Sequence, residues 1–303
     1  MEMSARAAAG EYPPQLAPPL GRRHVEIGRR ELLAGLSALP FAASVPTQSA
    51  RAAAGTSATG IVFAPGLRLP FIEAGETGVV AFDSDGGKRV IVSDFERAKR
   101  QVPPASTFKI PNTIVALETG VVGSLDEPVF KWDGKVRTID GKPVEAWNRD
   151  QSLREAFRNS TVWVYQEVAR RVGAERMARL VKAFDYGNRT IGNIDDFWLV
   201  GPLAISPIEQ IAFLGRLKAG ALPVSQRAMT LTREVMVIEE SDGHVLSGKT
   251  GWAYDHKIGW FVGWIETGNR SRLFALNLDV AKPSSLAART EILRTAAGQI
   301  GAW

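Results

Sequence analysis

The chain has 303 residues, 45% of them hydrophobic and 23% charged, with a formal net charge of +5. That balance suits one large globular domain or two modest ones with a sizeable core. No arginine-rich run or basic-aromatic stripe occurs, which excludes nucleic acid as a partner, and the lack of cysteine excludes disulfides, a thiol nucleophile and a lipidated cysteine.

The first 54 residues stand apart in composition, rich in Ala, Pro and Arg. Their apolar run from Leu32 to Val45 is too short to span a bilayer comfortably. Arg29-Arg30 precedes it and the small-residue pattern Ala50-Arg51-Ala52 follows it, the layout of an export signal. The arginine pair resembles a twin-arginine signal, although Gly28, Leu32 and Ala34 depart from its usual pattern and a Sec-type signal stays open. Residues 1–54 are expected to be an export segment, residues 55–303 to carry the fold, and the product to be periplasmic without stable membrane insertion.

Strands are expected over Gly60–Ala64, Thr77–Asp83 and Arg89–Val92, with Asp85-Gly86 as a hairpin turn. Thr107–Thr119 reads as a helix closed by Gly120, with Pro111 inside it at the cost of a hydrogen bond. Pro128–Arg149 is loop-like, with turns at Asp133-Gly134 and Asp140-Gly141. Ser152 and Glu155 form a capping box, and helices follow over Thr161–Val172 and Glu175–Phe184. Gly187–Asp196 is irregular and polar. Ser206-Pro207-Ile208-Glu209 opens a helix reaching Leu217, and Ser225–Val237 reads as another. Strands His244–Gly248, Lys257–Thr267 and Arg272–Val280 come next, and the helix Leu286–Ile300 closes the chain. Strands at both ends with helices between them argue for one largely antiparallel sheet with helices packed on it.

Four short motifs carry the chemical signal. Ser106 stands three residues before Lys109 at a helix mouth, so hydroxyl and amine share one face. A serine becomes a competent nucleophile when a neighbouring base takes its proton. Alone, the pair reads equally as a helix cap with a solvated lysine. Ser160-Thr161-Val162 opens a second helix, Tyr186-Gly187-Asn188 follows a third, and Lys249-Thr250-Gly251 ends or interrupts a strand. Each has a bland alternative: a cap, a helix-end turn, an edge-strand lysine. Their joint occurrence in this order is what gives them weight.

In that order the motifs resemble the class D, oxacillinase-type serine β-lactamases. Pro104–Asn112, Trp147–Asp150, Asn159–Gln166, Phe197-Trp198-Leu199 and Gly248–Trp264 extend the resemblance over the whole chain beyond the leader. It implies an α/β (α+β) fold of the β-lactamase/transpeptidase type, with an antiparallel sheet flanked by helices and a helical subdomain. It implies hydrolysis of a small β-lactam through a Ser106 acyl-enzyme, with N-carboxylated Lys109 as general base and carbon dioxide or bicarbonate its only requirement. Ser160 and Lys249 would move a proton to the leaving nitrogen, and Trp198 would hold the carboxylated lysine. The backbone N–H groups of Ser106 and Trp252 would form the oxyanion hole. Thr250, Gly251, Arg289 and Val162 would bind substrate, and Val162 and Phe108 would wall the lysine. Trp147 and Tyr186–Asn188 would shape the site. Trp198 could instead be a plain core aromatic, and Arg289 a surface residue of the last helix. The Tyr186-to-Trp198 spacing is one residue shorter than in some relatives.

Val162 stands where class A enzymes and most cell-wall peptidases carry asparagine, and no Glu-x-x-Leu-Asn stretch supplies a separate deacylating glutamate. His24, His244 and His256 lack metal-ligand spacing and no His-Glu-x-x-His occurs, so no metal is expected. The motifs leave oligomeric state open. Two other readings share them: a β-lactam sensor that stays acylated, and a cell-wall D,D-peptidase.

Overall fold

The run Ile258–Thr267 is apolar at nearly every position, and successive strand residues point to opposite faces. Such a strand needs cover on both sides. Trp260, Val262 and Trp264 enter one core, while Phe261 and Ile265 enter another. A computed structural model, describing residues 60–84, 88–139, 141–241 and 243–303, places this strand inside a seven-stranded sheet. The expected export segment, the expected Asp85-Gly86 turn and Asp140 lie outside the described residues.

In chain order the strands are β1 (Ile61–Phe63), β2 (Gly78–Ser84), β3 (Arg89–Val92), β4 (Thr138–Ile139), β5 (Lys142–Pro143), β6 (Val237–Ser241), β7 (His244–Ala253), β8 (Ile258–Thr267) and β9 (Arg270–Asp279). The main sheet runs β1-β3-β2-β9-β8-β7-β6, and β4 and β5 form a separate two-stranded ribbon. Main-sheet neighbours are antiparallel except β1, which lies parallel to β3. The expectation of a largely antiparallel sheet with helices on it is met.

The helices are α1 (Leu69–Glu73), α2 (Phe95–Lys99), α3 (Lys109–Glu118), α4 (Leu153–Arg158), α5 (Val162–Val172), α6 (Ala174–Ala183), α7 (Pro207–Lys218), α8 (Gln226–Val235) and α9 (Ser284–Gln299). One core joins the sheet to α3, α5, α6, α7 and α8 through residues such as Ile114, Tyr165, Val181, Leu214 and Met229. The second lies under α1 and α9, with Phe71, Phe82, Phe274, Leu293 and Ala296. Both expected capping boxes are formed, Ser152–Glu155 on α4 and Ser206–Glu209 on α7. Each cap contributes about 1 kcal/mol. Arg97 on α2 reaches Asn277 and forks onto Asp279 of β9, tying the segment before the first motif to the sheet.

Four expectations need correction. The helix expected over Thr107–Thr119 begins only at Lys109: Thr107 lies with Ser106 in a 3-10 turn, Ala105–Phe108, followed by α3. Pro111 therefore falls in the first turn of α3, where a missing N–H costs little. Lys249-Thr250-Gly251 does not end its strand: β7 runs on to Ala253, in unbroken register with Val262, Phe261 and Trp260. Cross-strand pairing overrides the local turn preference of Thr-Gly. The eighth helix stops at Val235, and Val237–Ser241 leaves it to pair with β7 at the sheet edge. The five-residue α1 and α2 are too short to show a helical period in sequence.

Candidate active site

Ser106 sits in the 3-10 turn, and every arm of that turn is pinned. Ala105 has φ +48°, unusual for a residue with a side chain, which costs of order 1 kcal/mol. Its N–H donates to the carbonyl of Trp198 at 2.8 Å. The indole of Trp260 donates to Pro103 O at 2.9 Å, and the Thr107 hydroxyl donates to Pro104 O at 2.7 Å. Three residues on, Lys109 returns beneath the serine, its Nζ hydrogen-bonded to Ser106 Oγ at 3.0 Å. Lys109 is 1% exposed, and the Tyr165 ring lies 5.1 Å from its amine. Burial pushes the amine from its ordinary 10.5 down to about 7.

Ser160 approaches from the other side. Thr161 is the N-cap of α5, so Ser160 lies just outside the helix, at φ +57°. Its neighbours hold it there: Trp147 Nε1 donates to Asn159 O at 2.8 Å, and Thr161 Oγ1 donates to Gln151 Oε1 at 2.7 Å. Lys249 from β7 completes the pair, with Nζ 3.1 Å from Ser160 Oγ and 3.0 Å from Thr250 O. Burial first, then the charges of Lys109 and Arg289, push the Lys249 amine well below its usual range. Two buried lysines thus stand behind two buried serines.

The edge of β7 explains the meeting. β6 pairs with β7 only up to Ser247, after which Gly248 N–H donates to Met236 O. Beyond that point no strand among the described residues covers the edge. Strand alternation aims the N–H groups of Thr250 and Trp252 the same way as that of Gly248, toward the open edge. The Ser106 turn rests against it. A Cβ built on Gly251 would lie 3.1 Å from Pro104 O and Thr107 N and 3.2 Å from Ser106 N. Glycine is needed there for the two backbones to approach. Behind the strand, Arg289 of α9 is 5% exposed and donates from Nη1 to Gly251 O at 2.8 Å and Trp260 O at 3.0 Å. Burial lowers its guanidinium to about 9. Thr250 Oγ1 is buried with no hydrogen-bond partner among the described residues.

Trp198 is a core aromatic and a site neighbour at once. It stacks on Phe108, with ring centroids 5.6 Å apart, and meets Phe197 edge-on at 4.9 Å. Phe108 thereby turns into an aromatic cluster with Tyr186 and Phe197. Val162 is 7% exposed at the start of α5. Tyr186-Gly187-Asn188 clamps the segment after Trp198. Asn188 Nδ2 donates to Pro202 O at 2.8 Å, and its backbone N–H to Ala204 O at 2.9 Å. Gly187, at φ +54°, admits no side chain, since a Cβ would fall 2.1 Å from Ala204 O.

The structure thus gathers Ser106, Lys109, Ser160, Lys249 and the Thr250–Trp252 edge around one cleft, with Arg289 bonded to that edge and Trp198 to the serine turn. Two buried glutamines behind it, Gln151 and Gln210, carry no motif. Their sequence signal is faint: a polar residue such as Gln210 in register with the apolar stripe Leu214 and Leu217. Among the described residues no group of His, Cys, Asp and Glu is placed to hold a metal ion. Asp242 falls outside the described residues.

Comparison with known proteins follows from this geometry. Residues 77–297 match the penicillin binding protein transpeptidase domain. The chain is 40% identical over 227 residues to β-lactamase OXA-48 of Klebsiella pneumoniae, covering 74% of this chain and 83% of that one. It is 39% identical over 221 residues to β-lactamase OXA-10 of Pseudomonas aeruginosa, covering 71% and 81%. The crystal structure of the class D β-lactamase YbXI from Nostoc superposes with a TM-score of 0.74 at 42% identity, over 78% of this chain and 99% of that one.

Proposed function

The chain belongs to the class D β-lactamases, and on that premise we propose that it hydrolyses β-lactams through an acyl-enzyme on Ser106, with N-carboxylated Lys109 as the base. The observation that carries the reading is the 3.0 Å bond between Ser106 Oγ and a buried Lys109 amine lowered to about 7. Near neutral pH a large fraction of that amine is uncharged, the form that adds carbon dioxide. Loss of a proton on addition leaves an N-carboxylate, which supplies a general base for acylation and deacylation. The indole N–H of Trp198, a donor only, suits such an anion.

Ser106 Oγ gives up its proton and attacks the lactam carbonyl. The N–H groups of Ser106 and Trp252 receive the oxyanion, and each such donor contributes about 10²–10³ in rate. The lactam C–N bond then breaks. Ser160, hydrogen-bonded to Lys249, hands the leaving nitrogen its proton, and the depressed amine of Lys249 relays rather than stores charge. Thr250 Oγ1, buried without a partner, and the guanidinium of Arg289 receive the substrate carboxylate. Water attacks the ester with the same base behind it, and Ser106 is restored.

The test is a time course with a chromogenic cephalosporin, with and without bicarbonate, at pH 6 and pH 8. Below pH 7 the Lys109 ammonium dominates and cannot be carboxylated. Bicarbonate is therefore expected to stimulate turnover more at pH 6 than at pH 8. Equal turnover with and without bicarbonate at both values would remove the carboxylated lysine. A stoichiometric burst that stops at both values would replace hydrolase with sensor or peptidase. Lys249 is the other amine in the site; its titration gives a pH effect that bicarbonate leaves unchanged.

Residues 1–54 we assign to export, leaving a periplasmic catalytic domain over 55–303. No helix among the described residues is long and apolar enough to cross a membrane. Sequencing the N-terminus of periplasmic product should give a start near residue 55; retention of Met1 on active protein would refute the assignment.

A further inference from the structure

Behind the nucleophile turn lies a buried polar cluster that the mechanism above does not use. Gln210 of α7 is 1% exposed, and Thr107 and Tyr186 are fully buried. Gln210 Nε2 lies 3.1 Å from Thr107 Oγ1 and 3.2 Å from the Tyr186 hydroxyl. Thr107 Oγ1 in turn is 2.7 Å from Pro104 O.

Counting protons fixes the direction of every bond. Pro104 O is a carbonyl and can only accept, so the single Thr107 hydroxyl proton must lie on the 2.7 Å contact. Thr107 Oγ1 therefore has no proton left for Gln210, and the glutamine atom facing it must be the nitrogen. The amide places one N–H on Thr107 and the other on Tyr186. Both amide donors are used, and the Thr107 hydroxyl joins the Thr107 backbone N–H, 3.1 Å from the same carbonyl, in closing Pro104 onto Thr107, the residues either side of Ala105-Ser106. The turn this bond closes contains the strained Ala105.

We infer that Gln210 is a positioning residue for the nucleophile: its two buried N–H donors commit the Thr107 hydroxyl to Pro104 O and so set the Ser106 turn against β7. The inference rests on the reading of Ser106 as nucleophile. It assigns a function to a helix that touches no reacting atom, through a side chain whose shape matters less than its donors.

Gln210→Met keeps the length and removes the donors; Gln210→Glu keeps the shape and, as a carboxylate, can only accept. Both are expected to lower kcat for a chromogenic cephalosporin by about ten- to a hundredfold, the range for small misplacement of a reacting group, with KM within threefold. Thr107→Val cuts the same bond from its other end and should give a similar loss. Because the residues act as one unit, the Thr107→Val, Gln210→Met double variant should be no slower than the worse single. Circular dichroism at the assay temperature checks that each variant is folded. If Gln210→Met does not fold, Thr107→Val and Gln210→Glu decide. A kcat within twofold of the parent in the folded variants overturns the inference, as does a double variant whose loss is the product of the two singles. Ser106→Ala is run beside them. Turnover by Ser106→Ala sinks the nucleophile reading itself, whereas an inactive Ser106→Ala beside a fully active Gln210→Met sinks only the clamp.

Discussion

Lys109→Ala is expected to cut turnover of a chromogenic cephalosporin by about 10²–10⁴, the usual contribution of a positioned general base. Among the described residues Lys109 is the one basic group bonded to Ser106 Oγ. Lys249 is nearby but bonded to Ser160 and the Thr250 carbonyl. In the proposed mechanism both half-reactions draw on the same base, so any acyl-enzyme that does form should persist. Quenched samples analysed by mass spectrometry should show the adduct for Lys109→Ala when the parent shows none. Turnover within tenfold of the parent would remove Lys109 as the base.

Gly251→Val is expected to lower kcat by about 10², the cost of displacing a reacting group by roughly 1 Å. Even the Cβ alone would stand 3.1–3.2 Å from three backbone atoms of the serine turn, and the valine methyls extend further. Either β7 or the Ser106 turn must move. β7 is held in continuous register with β8, so the turn, or its seat on Trp198 O, is the part that shifts. The same substitution should leave the secondary structure intact, since valine suits a strand. Measured kcat and circular dichroism separate the two effects; a fully active Gly251→Val would mean the approach seen here is not required for catalysis.

What the sequence made legible was the chemistry, and what it concealed was the support. The four motifs named themselves because each places two or three chemically committed residues side by side. Capping boxes on Ser152 and Ser206 were equally local, and both formed. The sheet class followed from strands at the two ends of the chain. By contrast, the 3-10 turn under Ser106 depends on bonds from Trp198, Trp260 and Gln210, none adjacent in sequence. The extension of β7 through Lys-Thr-Gly depends on β8, because Thr-Gly alone looks like a break. Val237, the first residue of edge strand β6, reads as the tail of a helix until its partner is known. Arg289 is named through the resemblance alone, with a surface position left open; only the fold shows it buried and locked on Gly251 and Trp260.

The order of strands has a consequence for how the molecule comes to exist. β2 pairs with β9, so residues near 80 find their partners near 275, and the serine turn at 105–108 rests on a strand centred at 250. A ribosome-bound chain can form the helices α3 through α7 one by one as they emerge, because the backbone bonds within each helix are local. It cannot make the cleft until α9 has emerged with Arg289. Folding of so non-local a sheet belongs to the slow class of topologies, in which loop closure precedes most of the reward. Until the last strand docks, the N-terminal strands β2 and β3 present a bare edge where β9 belongs, the template on which neighbouring chains pair and aggregate. Yield of this protein should therefore depend on the rate at which β9 and α9 reach the sheet, more than on any single contact within it.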